Sequence, residues 1–239
     1  MSKIIGIDLG TSACKGILTN KKGEVLRTHS VGYPVYTPFE NYSQQDPLDW
    51  YKAAVEILCV LSEGHKEDIK GVGIAGQMHG LVMLDRNDEV IRPAILWNDG
   101  RSTKECRYLN AMGDLPELTG NVAFPGFTAP KILWMKEQEP ENYAKIAKIM
   151  LPKDYVNYIL TGVHACDYSD ASGMLLLDVE HKCWSKEMLD ICGVSEAQMP
   201  KLFESYECIG TVKPEIAKAL GIGDDVKVAA GAGDNAAAA

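Results

Sequence analysis

Two aspartates stand where carboxylate chemistry is useful, one near each end of the 239-residue chain. Asp8 lies late in the apolar run Ile4-Ile5-Gly6-Ile7-Asp8-Leu9, which breaks at Gly10. Thr11 and Ser12 follow, then Lys15, Gly16 and a second apolar pair, Ile17-Leu18. This reads as strand, tight turn, strand. Such a turn offers N–H groups and hydroxyls to phosphate oxygens. An acid at the strand end can hold a divalent cation, largely through water, and Lys15 can meet phosphate charge. It is not a Walker loop, because GxxxxGK[ST] is absent and a strand follows where a helix would be needed. A plain hairpin with Asp8 in solvent fits the same residues.

Asp234 closes the run Gly231-Ala232-Gly233-Asp234-Asn235, after an apolar segment at 226–230 and before a stretch of alanines. At a strand end an ionised carboxylate can take a proton from a substrate hydroxyl. As the residue before a helix it is also a good N-cap, and spacing leaves both roles open. A third candidate is Gly76-Gln77-Met78-His79-Gly80, directly after the strand-like run 69–75. Ligands in open α/β sheets collect beyond the carboxyl ends of strands. There His79 could bond a polyol hydroxyl, with Met78 against its apolar face. Taken alone, the segment reads more simply as a turn histidine. Trp97, Asn98 and Arg101 fall in a strand-to-helix loop at the same edge; Arg101 is a partner for Asp99 or a ligand contact.

The elements that must position these residues are legible from periodicity. Val25-Leu26 begins a third strand, so the first thirty residues form an antiparallel edge of a mixed sheet. Residues 33–45 are loop. Asp46 and Pro47 start a helix, with Leu48, Tyr51, Val55 and Leu58 on one face and Gly64 near its end. The runs 81–84 and 90–97 suggest a hairpin about Arg86-Asn87-Asp88. Ser102 and Glu105 have the spacing of a capping box. Residues 113–130 are loop-rich, and helices are expected after Lys131, from Lys153 to Leu160, after Ser185 and from Pro214 to Leu220. Residues 167–172 read as polar loop, and 175–177 as a short strand.

Bulk properties narrow the function. A formal net charge of −9 gives no basic stripe for nucleic acid. The seven cysteines include no CxxC pair, which fits reduced thiols in a cytoplasmic protein better than a disulfide framework or a zinc site. The first apolar run is interrupted by Asp8, and no run reaches 18 apolar residues, so neither secretion nor membrane spanning is expected.

Together the motifs resemble the FGGY family of carbohydrate kinases, within the actin-like, ribonuclease H-like superfamily. IGIDLGTSACKG is similar to the family's first phosphate loop. GFTAPKILWMKEQ, with Thr128, Lys131 and Trp134, is similar to its first signature, and AAGAGDNAAAA to the segment carrying its catalytic aspartate. The resemblance implies an α/β ribonuclease H-like (actin-like ATPase) domain: a mixed sheet flanked by helices, with inserted hairpin and helical segments. It implies that residues 1–239 are the N-terminal, sugar-binding domain, without the nucleotide-binding domain that follows in the family.

Carried over by residue, Asp234 would be the base, and Met78, His79 and Asn235 would line the sugar site. Trp97, Asn98 and Arg101 would be a wall of that pocket or its support. Asp8 would help hold Mg²⁺, while Gly10, Thr11, Ser12 and Lys15 would face the phosphate transferred from ATP. GQMHG, LWNDGR, LPKDY and DYSDASG look most like the members acting on D-xylulose. Another ketose, a sugar acid or glycerol is the alternative substrate, and a non-catalytic sugar-binding module the alternative class. Little activity is expected of this chain alone, because half the ATP contacts would be missing. Nothing in the sequence fixes the oligomeric state, and a homodimer is one outcome left open.

Overall fold

The structure is a computed structural model, describing residues 2–239. Apolar side chains at alternate positions of Lys3–Leu9 (β1) and Ala13–Asn20 (β2) turn inward, and the two strands pair antiparallel with Asp8 opposite Lys15. Val25–Gly32 (β3) adds to β2 as the sheet edge, as expected from sequence. The mixed sheet runs in the order Cys208–Thr211, Lys227–Ala229, Ile69–Gly76, β1, β2, β3. Strand Ile69–Gly76 is parallel to β1 and to Lys227–Ala229. The short strand Ala232–Gly233 lies parallel to its last residues.

That register decides where the chemistry gathers. Leu9 and Gly233 are both aligned with Gly76. Asp8, the Gln77-Met78-His79 turn and Asp234 therefore leave the sheet at one edge, although 226 positions of sequence separate the two aspartates. The approach is close: a Cβ at Gly231 would sit 1.9 Å from the carbonyl oxygen of Ile74, and its φ of +81° disfavours other residues.

One face of the sheet is covered by helix Pro47–Ser62 (α1), with helices Pro152–Thr161 and Pro214–Leu220 contributing to the same core. Asp46 caps α1 by accepting the N–H of Leu48. The most buried positions of α1 are Trp50, Ala53, Ala54, Ile57, Leu58 and Leu61; of the predicted face Leu58 is buried, Tyr51 and Val55 pack partly buried against the core, and Leu48 alone is exposed. The buried indole N–H of Trp50 donates to Gln45 at 3.0 Å. A second core packs around helix Thr128–Gln138, with helix Lys186–Cys192 against it.

Other local expectations are extended or corrected by long-range contacts. Strand Val82–Leu84 pairs with Lys148–Met150, and Ala94–Ile95 with Gln44–Gln45, while the predicted hairpin is kept through the antiparallel bridges Leu84–Val90 and Leu81–Ile95 and the bond from Ile91 N–H to the carbonyl of Met83. Ser102 does not cap its helix; its hydroxyl donates to the carbonyl of Pro125. Residues Tyr168–Ser172 form a helical turn rather than a polar loop, with Asp167 and Asp170 buried.

Candidate active site

The turn after β1 is held from behind. Tyr33 donates its hydroxyl to the carbonyl of Gly10, and the buried Gln45 donates to the carbonyl of Thr11 at 2.7 Å. With those carbonyls occupied, the hydroxyl side of the turn is left for a ligand; Ser12 and Lys15 are exposed. Trp97 lies 48% exposed and donates its indole N–H to Thr11 Oγ1 at 2.9 Å. The turn after β1 and the expected sugar wall are thus in direct contact.

Burial pushes the Asp8 carboxyl above the usual carboxylate range; Lys15 opposes this and Asp234 adds to it. A carboxylate whose proton affinity is raised by burial and a nearby carboxylate is a setting in which a divalent cation is favourable. Among the described residues no cluster of three or more His, Cys, Asp or Glu side chains surrounds them. This donor set fits a Mg²⁺ ion bound by one or two carboxylates, with water and phosphate oxygens as its remaining ligands.

His79 adopts a φ of +66°, uncommon for a residue with a side chain. Its carbonyl accepts from Lys131 Nζ at 2.9 Å and from the Thr128 hydroxyl at 3.1 Å. Lys131 is fully buried and also donates to the carbonyl of Gly126. Burial holds its amine well below the ordinary lysine range, with Asp99 opposing and Arg101 adding to that shift. Two N–H groups, present in either protonation state, are enough for both bonds. The resemblance carries Thr128 and Lys131 as motif letters, and the structure shows what they hold.

The imidazole of His79 stacks on Phe127 with ring centroids 4.3 Å apart. Its Nδ1 faces the carbonyl of Gly173 at 2.9 Å, so that nitrogen carries the proton and Nε2 is left as an acceptor. The ring fits because residue 173 is glycine; a Cβ there would lie 2.5 Å from His79 Cε1. Burial lowers the His79 pKa, Lys131 lowers it further, and the Gly173 bond and Asp234 oppose them. His164, bonded to the carbonyl of Ile149, is likewise lowered by burial.

Between the ordinary histidine value of about 6.5 and the depressed folded values, the unfolded chain holds protons that the folded chain refuses. These two histidines therefore cost no stability above that value and progressively more as pH falls through the window. Thermal unfolding should show a shallower loss between about pH 7 and pH 5 in the His79→Gln, His164→Gln double variant than in the parent. Parallel curves would mean that neither ring is kept neutral by the fold.

Asp234 begins the helical turn Asp234–Ala238, and its Oδ1 accepts the N–H of Asn235. Gly233 is the N-cap residue, so the capping alternative for Asp234 is not what the structure shows. Asn235 Nδ2 lies 4.0 Å from Met78 Sδ, and Gly233 packs against the same side chain. Met78, His79, Asp234, Asn235 and Asp8 are thereby brought together. Arg101 is not a free ligand contact: it forms a two-pronged ion pair with Asp99 at 2.7 and 2.8 Å and stacks 3.8 Å above Tyr42. Asn98 is exposed in the same loop.

An open groove of about 710 Å³ on the bare sheet face is lined by Asp8, Lys15, Ile74, Gly231 and Ser205 among others. Met78, His79, Trp97 and Asp234 are not among its lining residues.

A fold of this kind, with a phosphate-type turn and an aspartate at the adjoining strand end, defines the class. The chain belongs to the FGGY family of carbohydrate kinases, whose N-terminal-domain model matches residues 3–239. It is 48% identical to the xylulose kinase of Escherichia coli strain K12, over 98% of this chain and 49% of that protein. Among solved structures, a xyloylose kinase from Brucella ovis superposes with a TM-score of 0.95 at 41% identity, over 98% of this chain and 49% of its own. A gluconate kinase from Lactobacillus acidophilus superposes with a TM-score of 0.94 at 30% identity, again over 98% of this chain and 48% of its own. The chain thus spans about half the length of the relatives it matches. No described helix is long and apolar enough to cross a membrane.

Proposed function

We propose that this chain is the sugar-binding half of an ATP-dependent kinase that phosphorylates D-xylulose to D-xylulose 5-phosphate. The observation that carries this reading is the meeting of Asp234 with Asp8 on one side and Met78-His79 on the other, at one sheet edge. A module that only bound sugar would have no use for the paired carboxylates. The choice of sugar is supported by the xylulose kinases most similar in sequence. The fold leaves that choice open, because a gluconate kinase shares it.

In this mechanism the sugar rests against Met78 and Trp97, and one hydroxyl donates to Nε2 of the neutral His79. Asp234 accepts the proton of the attacking hydroxyl and aligns its oxygen with the phosphate to be transferred. Gly10, Thr11, Ser12 and Lys15 face that phosphate. Mg²⁺ at Asp8, when bound, supplies neutralisation of the charge that otherwise repels the nucleophile. Phosphoryl transfer asks mainly for positioning and charge balance, and these residues offer both. The adenosine contacts and the closure over sugar are assigned to the half that this chain does not span, so turnover by this chain alone is expected to be small. A cytoplasmic setting fits the seven free cysteines.

Calorimetric titration of this chain with D-xylulose, against L-ribulose, gluconate and glycerol, tests the substrate. Selective heat with D-xylulose, weakening as His79 gains its second proton at lower pH, is expected. Selective heat with gluconate or another comparator would replace the substrate and keep the class. Heat with none of them, even in a chain of the relatives' full length, would remove the sugar site from this surface.

A further inference from the structure

Beneath the Asp234 turn lies a buried ionic cluster that the proposed chemistry does not use. Lys153 is fully buried, its Nζ 2.6 Å from Asp154, 2.9 Å from Asp167 and 3.6 Å from Asp170. One cation among three carboxylates in a dry interior is a costly arrangement unless each charge has a task. Burial pushes the Asp170 carboxyl well above the usual range, with Lys153 opposing. Asp154 turns back to accept the N–H of Leu151 and caps the start of its own helix.

Asp167 has the remaining task. While its Oδ1 meets Lys153, its Oδ2 accepts the Ser169 N–H at 2.9 Å, the Ser169 hydroxyl at 2.5 Å and the Ser205 hydroxyl at 2.8 Å. A carboxylate can only accept, so it fixes the direction of both hydroxyl protons. The Ser169 oxygen, having donated, is free to accept, and it takes the N–H of Gly233 at 3.2 Å. Ser205 in turn accepts the N–H of Gly231 on its backbone carbonyl at 3.0 Å. Both serines gathered by Asp167 therefore grip the turn that ends in Asp234. The turn's own pairing to the central strand is only two residues long.

We infer that Lys153, Asp167 and Ser169 form a positioning clamp for Asp234, setting the backbone of residues 231–233 so that the base meets the sugar hydroxyl. The catalytic purpose of the clamp rests on the kinase reading, whereas its mechanical action does not. Ser169 touches no reacting group; it acts through Gly233. A rotating hydroxyl alone would hold the amide loosely, and the Asp167 carboxylate, ion-paired with Lys153 at 2.9 Å, removes that freedom.

The test is amide hydrogen exchange by NMR on this chain, comparing the parent with Ser169→Ala and Ser169→Thr. Ser169→Ala should accelerate exchange at Gly233 by about tenfold, leave the β1 and β2 amides unchanged, and be reversed by Ser169→Thr. Unchanged Gly233 exchange, or equal acceleration throughout the sheet, would overturn the clamp. In a chain of the relatives' full length, Ser169→Ala should lower kcat while leaving the KM for sugar in place. A fall in sugar affinity with kcat preserved would assign Ser169 to the sugar wall and overturn the positioning role. A parent protein that turned over no sugar would defeat the kinase reading alone, since Gly233 exchange is measured without substrate.

Discussion

Replacing Asp234 by alanine, in a chain of the relatives' full length, is expected to lower turnover by at least about a hundredfold, the lower end for removal of a general base. Gly233 occupies the N-cap position, so the Asp234 carboxylate is not needed to start the helix that follows. Its charge is felt instead at two functional groups, raising the proton affinity of both Asp8 and His79. Loss of Asp234 should therefore also let Asp8 ionise at lower pH, which carbon-detected titration of its carboxyl would show. Near-normal turnover in the variant would make Asp234 a bystander and return the base role to another group. The Asp234→Asn variant separates the roles further, because it retains shape while losing the ability to accept a proton.

The second large effect is on stability. Lys153→Met should cost about 3–5 kcal/mol, the usual penalty for removing one partner of a buried ion pair. Asp154 and Asp167, which lie within ion-pair distance of Lys153, would be left buried without a cation. At this chain length that corresponds to a fall in Tm of very roughly 10 °C. Adding Asp154→Asn and Asp167→Asn to Lys153→Met should recover part of the loss, since unpaired charge rather than lost volume causes it. A Tm unchanged by Lys153→Met alone would mean that water reaches the cluster and that its ionic character is weak. The outcome bears on function as well, because Asp167 directs the serines that hold the Asp234 turn.

The local motifs of this chain are legible in its amino-acid sequence. Asp8, Gly10 and Lys15 announce a strand, turn and strand because apolar alternation and a glycine break are short-range signals, and β1 and β2 follow them closely. Asp46-Pro47 announces the start of α1 for the same reason, since a cap bonds within two residues of itself. The family resemblance places Asp234, Met78 and His79 in one site, but the residues themselves leave each with a simpler structural role.

What joins them is the parallel register of three segments around residue 76, and parallel pairing leaves no mark in the sequence close to either strand. The same limit explains the corrections. Strand Val82–Leu84 finds a partner at Lys148–Met150, and Arg101, beyond the Asp99 pair that its spacing offered, finds the ring of Tyr42, through contacts that periodicity does not encode. Gln45, Asp167 and Ser169 give no signal as supporting residues, because a lone polar side chain reads as loop until burial shows what it holds. Spacing along the chain thus determined which residues were fit for phosphate, metal and proton chemistry. Only the tertiary structure decided that Lys131 would fix the strained His79 and that Lys153 would fix Asp167. Buried charge acquires a role from the groups that displace its water, and those come from distant parts of the chain.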